Sequence, residues 1–251
     1  MTDLSPGDSV VAMRDVIDEV LHAYGGRERW NRVTAVAAHY RLGGALWTRK
    51  GVPAVAGAGE VTVWVKDQRV SMRPFGGTDL KSVYSPERVS LETVDDELIE
   101  MLADPRSSFA SLTPQSPWTD LQAAYVTGYA MWAYLAEPLS LTVPGVSIRY
   151  DRLWQEGSQE WRRLGVQYPP AIVTHSARQF LYLDRGGLIR RRDYDIDVAN
   201  GFPAAQYVDG FARVDGIVVP TSRTVYVRDD AGLPLRDQPE VSIEFADLRV
   251  L

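Results

Sequence analysis

Tyr168-Pro169, Thr174-His175-Ser176, Gln179, Tyr182-Leu183-Asp184, Gly187-Leu188, Arg192-Asp193-Tyr194, Asp215-Gly216 and Val219-Pro220-Thr221 mark out the stretch from Tyr168 to Tyr226 as strand, turn, strand, turn. Asp184-Arg185-Gly186-Gly187 separates two strand-like runs, and Val214-Asp215-Gly216-Ile217 separates two more. An Asp-Gly pair between apolar runs signals a hairpin, because glycine accepts the positive φ that a tight turn requires. This is a meander of long antiparallel strands.

The same punctuation extends both ways. Downstream of Ser147 the pattern predicts strands over 147–155, 159–168, 178–184, 188–198, 205–214, 217–228 and 240–250. Upstream it predicts Val33–Leu42, a bend at Gly43-Gly44 leading into Ala45–Arg49, then Glu60–Lys66, Arg69–Phe75, Leu80–Ser85 and Arg88–Glu92. Gly51–Gly59 reads as a hairpin loop and residues 95–118, broken by three prolines, as irregular. Two helices interrupt the strands. The first, over 9–24, carries Val10, Val11, Met13, Val16, Ile17, Val20, Leu21 and Tyr24 at helical spacing and stops at Gly25-Gly26, with Trp30 tucked beneath it. The second, over 120–135, starts at Thr119-Asp120, ends at Glu137-Pro138 and presents Leu121, Ala124, Tyr125, Gly128, Tyr129, Trp132 and Leu135.

The fold class expected is α+β: one domain over residues 1–251, with a single curved antiparallel sheet of about 10–12 strands. A sheet that size must curl, split or close, so a half-open barrel with both helices on its concave side is expected.

Composition narrows the function classes. The net charge of −6 gives no basic face for general nucleic-acid binding. No Cys is present, so disulfides and thiolate metal sites are excluded. The acidic N-terminus lacks the basic start and apolar run of a secretory signal, and no apolar run is long enough for a membrane-spanning helix; a cytoplasmic protein is expected. No His-x-x-x-His or Glu-x-x-His spacing, glycine-rich phosphate loop or Gly-x-Ser-x-Gly elbow occurs, so neither metal nor cofactor is expected. Asp193, Asp195 and Asp197 alternate on one strand face with Arg191; a solvated face is favoured over a cation site.

Ala23-Tyr24-Gly25-Gly26, Trp30 and Val33 after the first helix, Trp132-Ala133-Tyr134 with Pro138, the Thr174-His175-Ser176 turn, the Asp184-to-Tyr194 hairpin and Val214-Asp215-Gly216-Ile217-Val218-Val219-Pro220 resemble bacterial proteins of the LolA/LolB-like superfamily, with the lipoprotein-carrier fold. The resemblance spans roughly residues 10–250. It implies a half-closed antiparallel barrel around an apolar cavity, associated with carrying acyl chains or other hydrophobic ligands. With no export signal read in the sequence, a cytoplasmic branch of the superfamily is expected.

The candidate site residues follow. Seven Trp and twelve Tyr supply side chains that pair an apolar body with one polar atom, which suits a ligand pocket. The candidates are Trp132, Tyr125, Tyr129, Tyr134, Tyr168, Tyr182, Tyr194 and Tyr207, with Trp132 and at least two of Tyr168, Tyr182 and Tyr194 expected to border a cavity of a few hundred Å3. Arg192 shares a strand face with Leu188, Tyr194 and Ile196, so it must meet an acidic residue or a ligand carboxylate. A binder of a hydrophobic or amphipathic small molecule is the leading expectation. A cofactor-free cyclase or isomerase for a polyketide- or terpenoid-like substrate, with His175 or His39 as acid or base, is the alternative. A ligand-free interaction module is the third.

Overall fold

The computed structural model describes residues 6–251, with side chains from residue 15 onward. In chain order the helices are α1 (Pro6–Ala23), α2 (Arg27–Arg32), α3 (Ala45–Arg49) and α4 (Asp120–Leu135). The strands are β1 (Ala35–Gly43), β2 (Gly57–Trp64), β3 (Arg69–Arg73), β4 (Leu80–Ser85), β5 (Arg88–Thr93), β6 (Leu98–Ala103), β7 (Ser147–Glu156), β8 (Gln159–Gln167), β9 (Arg178–Leu183), β10 (Ile189–Ile196), β11 (Phe202–Val214), β12 (Ile217–Arg228), β13 (Pro234–Leu235) and β14 (Val241–Val250).

All fourteen strands lie in one antiparallel sheet that does not close, ordered β6-β5-β4-β3-β2-β1-β14-β12-β11-β10-β9-β8-β7, with the two-residue β13 beside β12. Two sequential meanders, β1 to β6 and β7 to β12, are therefore joined by the last strand: β14 pairs with β1 on one side and β12 on the other. The β11–β12 hairpin turns on Asp215 (φ 50°) and Gly216 (φ 81°), with Val214 opposite Ile217. Two consecutive positive φ values match the strand twist, which is why Asp-Gly occupies this turn.

The segment that links the meanders contains α4. Thr119 and Gln122 close a capping box at its start, the Thr119 hydroxyl accepting from the Gln122 amide (3.2 Å) and the Thr119 amide donating to Gln122 Oε1 (3.0 Å). The helix packs on β2 to β6 and on β12, and every residue from Leu121 to Leu135 is buried. That explains its all-round apolar sequence, since a helix enclosed on every side has no wet face to mark with polar residues. In α1, Ile17, Val20, Leu21 and the adjoining Tyr24 are buried. Val10, Val11 and Met13 lie outside the residues whose side chains are described. Trp30 is buried and donates its indole N–H to the Tyr24 carbonyl (2.9 Å).

Three segments differ from the sequence-based expectation: one expected strand is lost and another gained, and the fourteen strands, with the two-residue β13 included, exceed the 10–12 expected. Ala45–Arg49 is a helix, not a strand. Gly44 (φ 111°) follows β1 and precedes the helix, and a Cβ there would sit 2.3 Å from the Glu240 carbonyl oxygen, so both its conformation and its close approach require glycine. Leu98–Ala103 is a strand, not an irregular segment; as the sheet's edge it stays largely exposed and carries no burial alternation. Gly51–Gly59 holds a short turn at Pro53–Val55 and then enters β2.

Candidate functional site

A cavity of about 450 Å3 lies beside α4. Val126, Thr127, Ala130, Met131 and Tyr134 form its helical wall, a set spaced i, i+1, i+4, i+5, i+8 that covers one side of the helix over about 12 Å. Leu42 from β1 with Leu46 and Trp47 from α3 form a second wall. Tyr194 and Ile196 from β10, Phe202 from the start of β11, Val225 from β12 and Val241 from β14 form the floor on the sheet, and Trp118 and His175 complete the lining from loops. Small side chains at Ala130 and Ala199 leave the space open.

His175 lies flat on Tyr194, ring centroids 4.1 Å apart and planes 2° from parallel, and meets Tyr129 edge-on at 5.0 Å. Both ring nitrogens are buried without a hydrogen-bond partner. Burial pushes the imidazole down to about 3 from its ordinary 6.5, and the charges of Arg192 and Arg106 push the same way. The ring is neutral at physiological pH and serves as an aromatic plate in the wall. Its flanking residues hold the turn: the Gln179 amide donates to Thr174 Oγ1 (2.8 Å), and the Ser176 hydroxyl donates to the Arg178 carbonyl (2.8 Å).

Three charged side chains reach the cavity lining: Arg49, Lys50 and Glu240. Arg49 grips Glu240 with both terminal nitrogens, Nη1 at 2.9 Å from Oε1 and Nη2 on Oε2. Lys50 is buried, 3% exposed. Its Nζ donates to the carbonyls of Pro114 (2.8 Å) and Ser116 (3.1 Å) and stands 5.1 Å from the Trp118 ring centre. Burial and then the neighbouring Arg49 lower the pKa of this amine. No carboxylate of the described residues lies within salt-bridge distance of it.

Arg192 points into the same side of the sheet as Tyr194 but stops elsewhere. Its guanidinium binds Glu137 Oε1 and donates to Gln179 Oε1 (3.1 Å). Glu137 Oε2 accepts from Arg223 (2.7 Å), which also donates to Gln206 Oε1 (3.0 Å) and to the Tyr134 carbonyl (3.0 Å) at the end of α4. The anion for Arg192 is thus an acidic residue of the chain. Burial raises the Glu137 carboxyl, but Arg192 and Arg223 outweigh it and hold the group below its ordinary value. This cluster pins the carbonyl end of α4 to the sheet.

Of the candidate residues, Tyr134, Tyr194 and His175 line the cavity. Tyr125, Tyr129, Trp132 and Tyr168 are buried but are not in its lining, so of Trp132, Tyr168, Tyr182 and Tyr194 only Tyr194 borders the cavity; Tyr125 packs on Tyr84 and Phe109, and Trp132 donates its N–H to the Val65 carbonyl (3.2 Å). Tyr182 and Tyr207 project from the opposite face of the sheet. There Arg191 is clasped by Asp193 (2.7 Å) and Glu156 (2.6 Å), with the Tyr207 hydroxyl 3.1 Å away and Tyr182 donating to Asp193 (2.6 Å). Asp193 is therefore buried, not solvated as its alternation suggested, because β10 faces aromatic side chains on that side too. His39 also lies on the outer face, half-exposed between Asp247 (2.9 Å) and Glu60 (3.2 Å), beside an open groove away from the cavity. Lys50, Trp47, Trp118 and Glu240 escaped the sequence analysis: each is unremarkable in its local context, although Trp47 and Trp118 carry the same aromatic signal as the candidates chosen. Among the described residues, no group of His, Asp and Glu converges as a metal site. None of their helices is long and apolar enough to cross a membrane.

No protein-family model matches the chain, and no curated protein does either. Among solved structures, it is similar to a DUF1329 family protein from Desulfovibrio piger (TM-score 0.53, 10% identity, covering 95% of this chain and 92% of that one). It is also similar to a LolA superfamily protein from Nitrosomonas europaea (TM-score 0.50, 10% identity, 97% and 94% covered). At such identity the similarity is one of fold.

Proposed function

We propose that this protein binds a hydrophobic or amphipathic small molecule in the cavity beside α4, and that the sheet curves around the helix so that both walls contact the ligand. The cavity itself carries this reading: about 450 Å3, walled by Leu42, Leu46, Trp47, Val126, Ala130, Met131 and Val225. Ligand pockets have this size and apolar lining, and a void of that size left empty forgoes dispersion contacts along its whole lining. The resemblance in motifs and the shared fold agree with a carrier of apolar molecules, although fold alone is an associational warrant. Acid–base catalysis is not favoured. His175, with its pKa near 3 and both nitrogens buried, is a poor proton carrier at neutral pH, and His39 stands outside the cavity.

Native mass spectrometry of freshly purified protein, followed by titration with a fluorescent naphthylamine probe, tests the proposal. The wild type is expected to carry a co-purified apolar molecule or to bind the probe, and Ala130→Phe, which fills the cavity from α4, to weaken probe binding at least tenfold with the circular dichroism spectrum unchanged. Absence of any ligand together with no probe binding, or equal binding by both proteins, would overturn it.

A further inference from the structure

The charges on the cavity wall do not cancel. Of the two cations there, Arg49 is neutralised by the bidentate grip on Glu240, and Lys50 has only the backbone carbonyls of Pro114 and Ser116. An ammonium has three donors, so one N–H of Lys50 has no acceptor among the described residues. A buried cation without a counter-charge is costly unless an anion arrives from outside. Position adds a second constraint. Lys50 stands against Trp118, just before the first turn of α4, whereas Tyr134 lies near the last turn, about 20 Å further along the helix axis. The cavity thus has its uncompensated charge toward one end; the rest of its lining is apolar or uncharged side chains and the mutually neutralised Arg49–Glu240 pair.

Resting on the binding function proposed above, we propose that the ligand is an amphipathic carboxylic acid: its carboxylate caps the free N–H of Lys50, and its hydrocarbon body lies along α4 toward Tyr134. A single charge and a single free donor suit a carboxylate better than a phosphate, whose dianion calls for several charge-assisted hydrogen bonds. The same arrangement discriminates against the matching alcohol or ester, which leaves the ammonium unpaired inside the protein.

Calorimetric titration of the full chain with lauric acid, lauryl alcohol and methyl laurate tests this. The wild type is expected to bind the acid at least tenfold more tightly than the alcohol or the ester. Lys50→Met and Lys50→Gln, the latter keeping an amide to donate to the Pro114 or Ser116 carbonyl, are expected to lose that preference while retaining the affinity for the alcohol. Equal binding of acid, alcohol and ester by the wild type overturns the head-group assignment and leaves the binding proposal standing; it needs no variant to fold. An acid preference that persists in either variant also overturns it. If the wild type binds none of the three and no other apolar probe, the binding proposal fails with it.

Discussion

Glu137→Gln should be among the most damaging single-atom changes available in this protein. Glu137 is fully buried, and each of its oxygens serves a different guanidinium, Arg192 on Oε1 and Arg223 on Oε2, both arginines being buried as well. A glutamine keeps the shape and one acceptor. It turns an N–H donor toward the other guanidinium, however, and leaves two positive charges in the core with no anion between them. Breaking a buried ion pair by removing one partner costs about 3–5 kcal/mol, a large share of the ~5–15 kcal/mol that holds a typical protein folded. For a chain of this length that corresponds to a fall of roughly 6–20 °C in Tm. Urea titration followed by tryptophan fluorescence measures it at pH 7. The pH dependence adds a sign. Because the folded state holds the Glu137 carboxyl below its ordinary value of 4.5, its contribution is complete above that pH and is lost as the pH falls through the lower folded value. The wild type should therefore lose part of its advantage over the variant in strong acid. A stability loss under about 1 kcal/mol at pH 7, or a gap between the two proteins that widens in acid, would refute the assignment of Glu137 as the counter-ion of two buried arginines.

Other outcomes follow from single contacts. His175→Phe should hold or raise stability at pH 7, since it removes two buried nitrogens without partners, each unsatisfied group costing about 1–3 kcal/mol. It should also flatten the acid response: the folded state keeps the imidazole near 3 against 6.5 unfolded, so the wild type loses stability as pH drops from about 6.5 toward 3, and the phenylalanine protein lacks that component; Tm measured across that range decides. Gly128→Ala, normally worth about 1 kcal/mol to a helix, should destabilise instead by about 1–3 kcal/mol through overpacking. Its Cβ would lie 2.4 Å from Tyr84 Cγ and 2.5 Å from Tyr84 Cβ, so the clash should persist in a Tyr84→Ala background and vanish only in Tyr84→Gly, as double-mutant cycles would show.

Legibility in the sequence tracked how local each cause is. The β11–β12 hairpin depends on two adjacent residues, Asp215 and Gly216, and the pair announces it. The capping box of α4 spans Thr119 to Gln122 and is equally open to inspection. The short α3 gives five residues, Ala45–Arg49, in which helical and extended periodicities cannot be separated. Strand β6 sits at the sheet edge, where Leu98, Ile99 and Met101 remain exposed and alternation carries no information. In α4 the stripe through Leu121, Tyr125, Tyr129 and Trp132 looked like the working face, but the cavity lies along Val126, Ala130 and Tyr134. A helix buried on all sides offers no polar face from which to infer the other. Lys50 was invisible because its setting comes from Pro114 and Ser116, more than sixty residues away.

Arg192 shows what strand parity decides and what it leaves open. Alternation along β10 puts Arg192, Tyr194 and Ile196 on one side of the sheet, and that is where they are. Residues two apart on a strand are nevertheless about 6.6 Å apart, far enough to belong to different sites: Tyr194 and Ile196 reach the cavity, and Arg192 reaches Glu137. What a buried cation does is set by the element that answers it. The Glu137 cluster also carries one positive charge too many, yet Arg223 spends its excess on the Tyr134 carbonyl, at the helix end where the macrodipole is negative. That charge is answered within the fold and does not call for a ligand. Lys50 has no carboxylate and no comparable helix end, and it lies on the wall of the one apolar cavity described here. Two buried surpluses of the same sign thus differ: the one at α4's carbonyl end is answered within the fold, and the one at Lys50 is the charge that the proposed carboxylate ligand would answer.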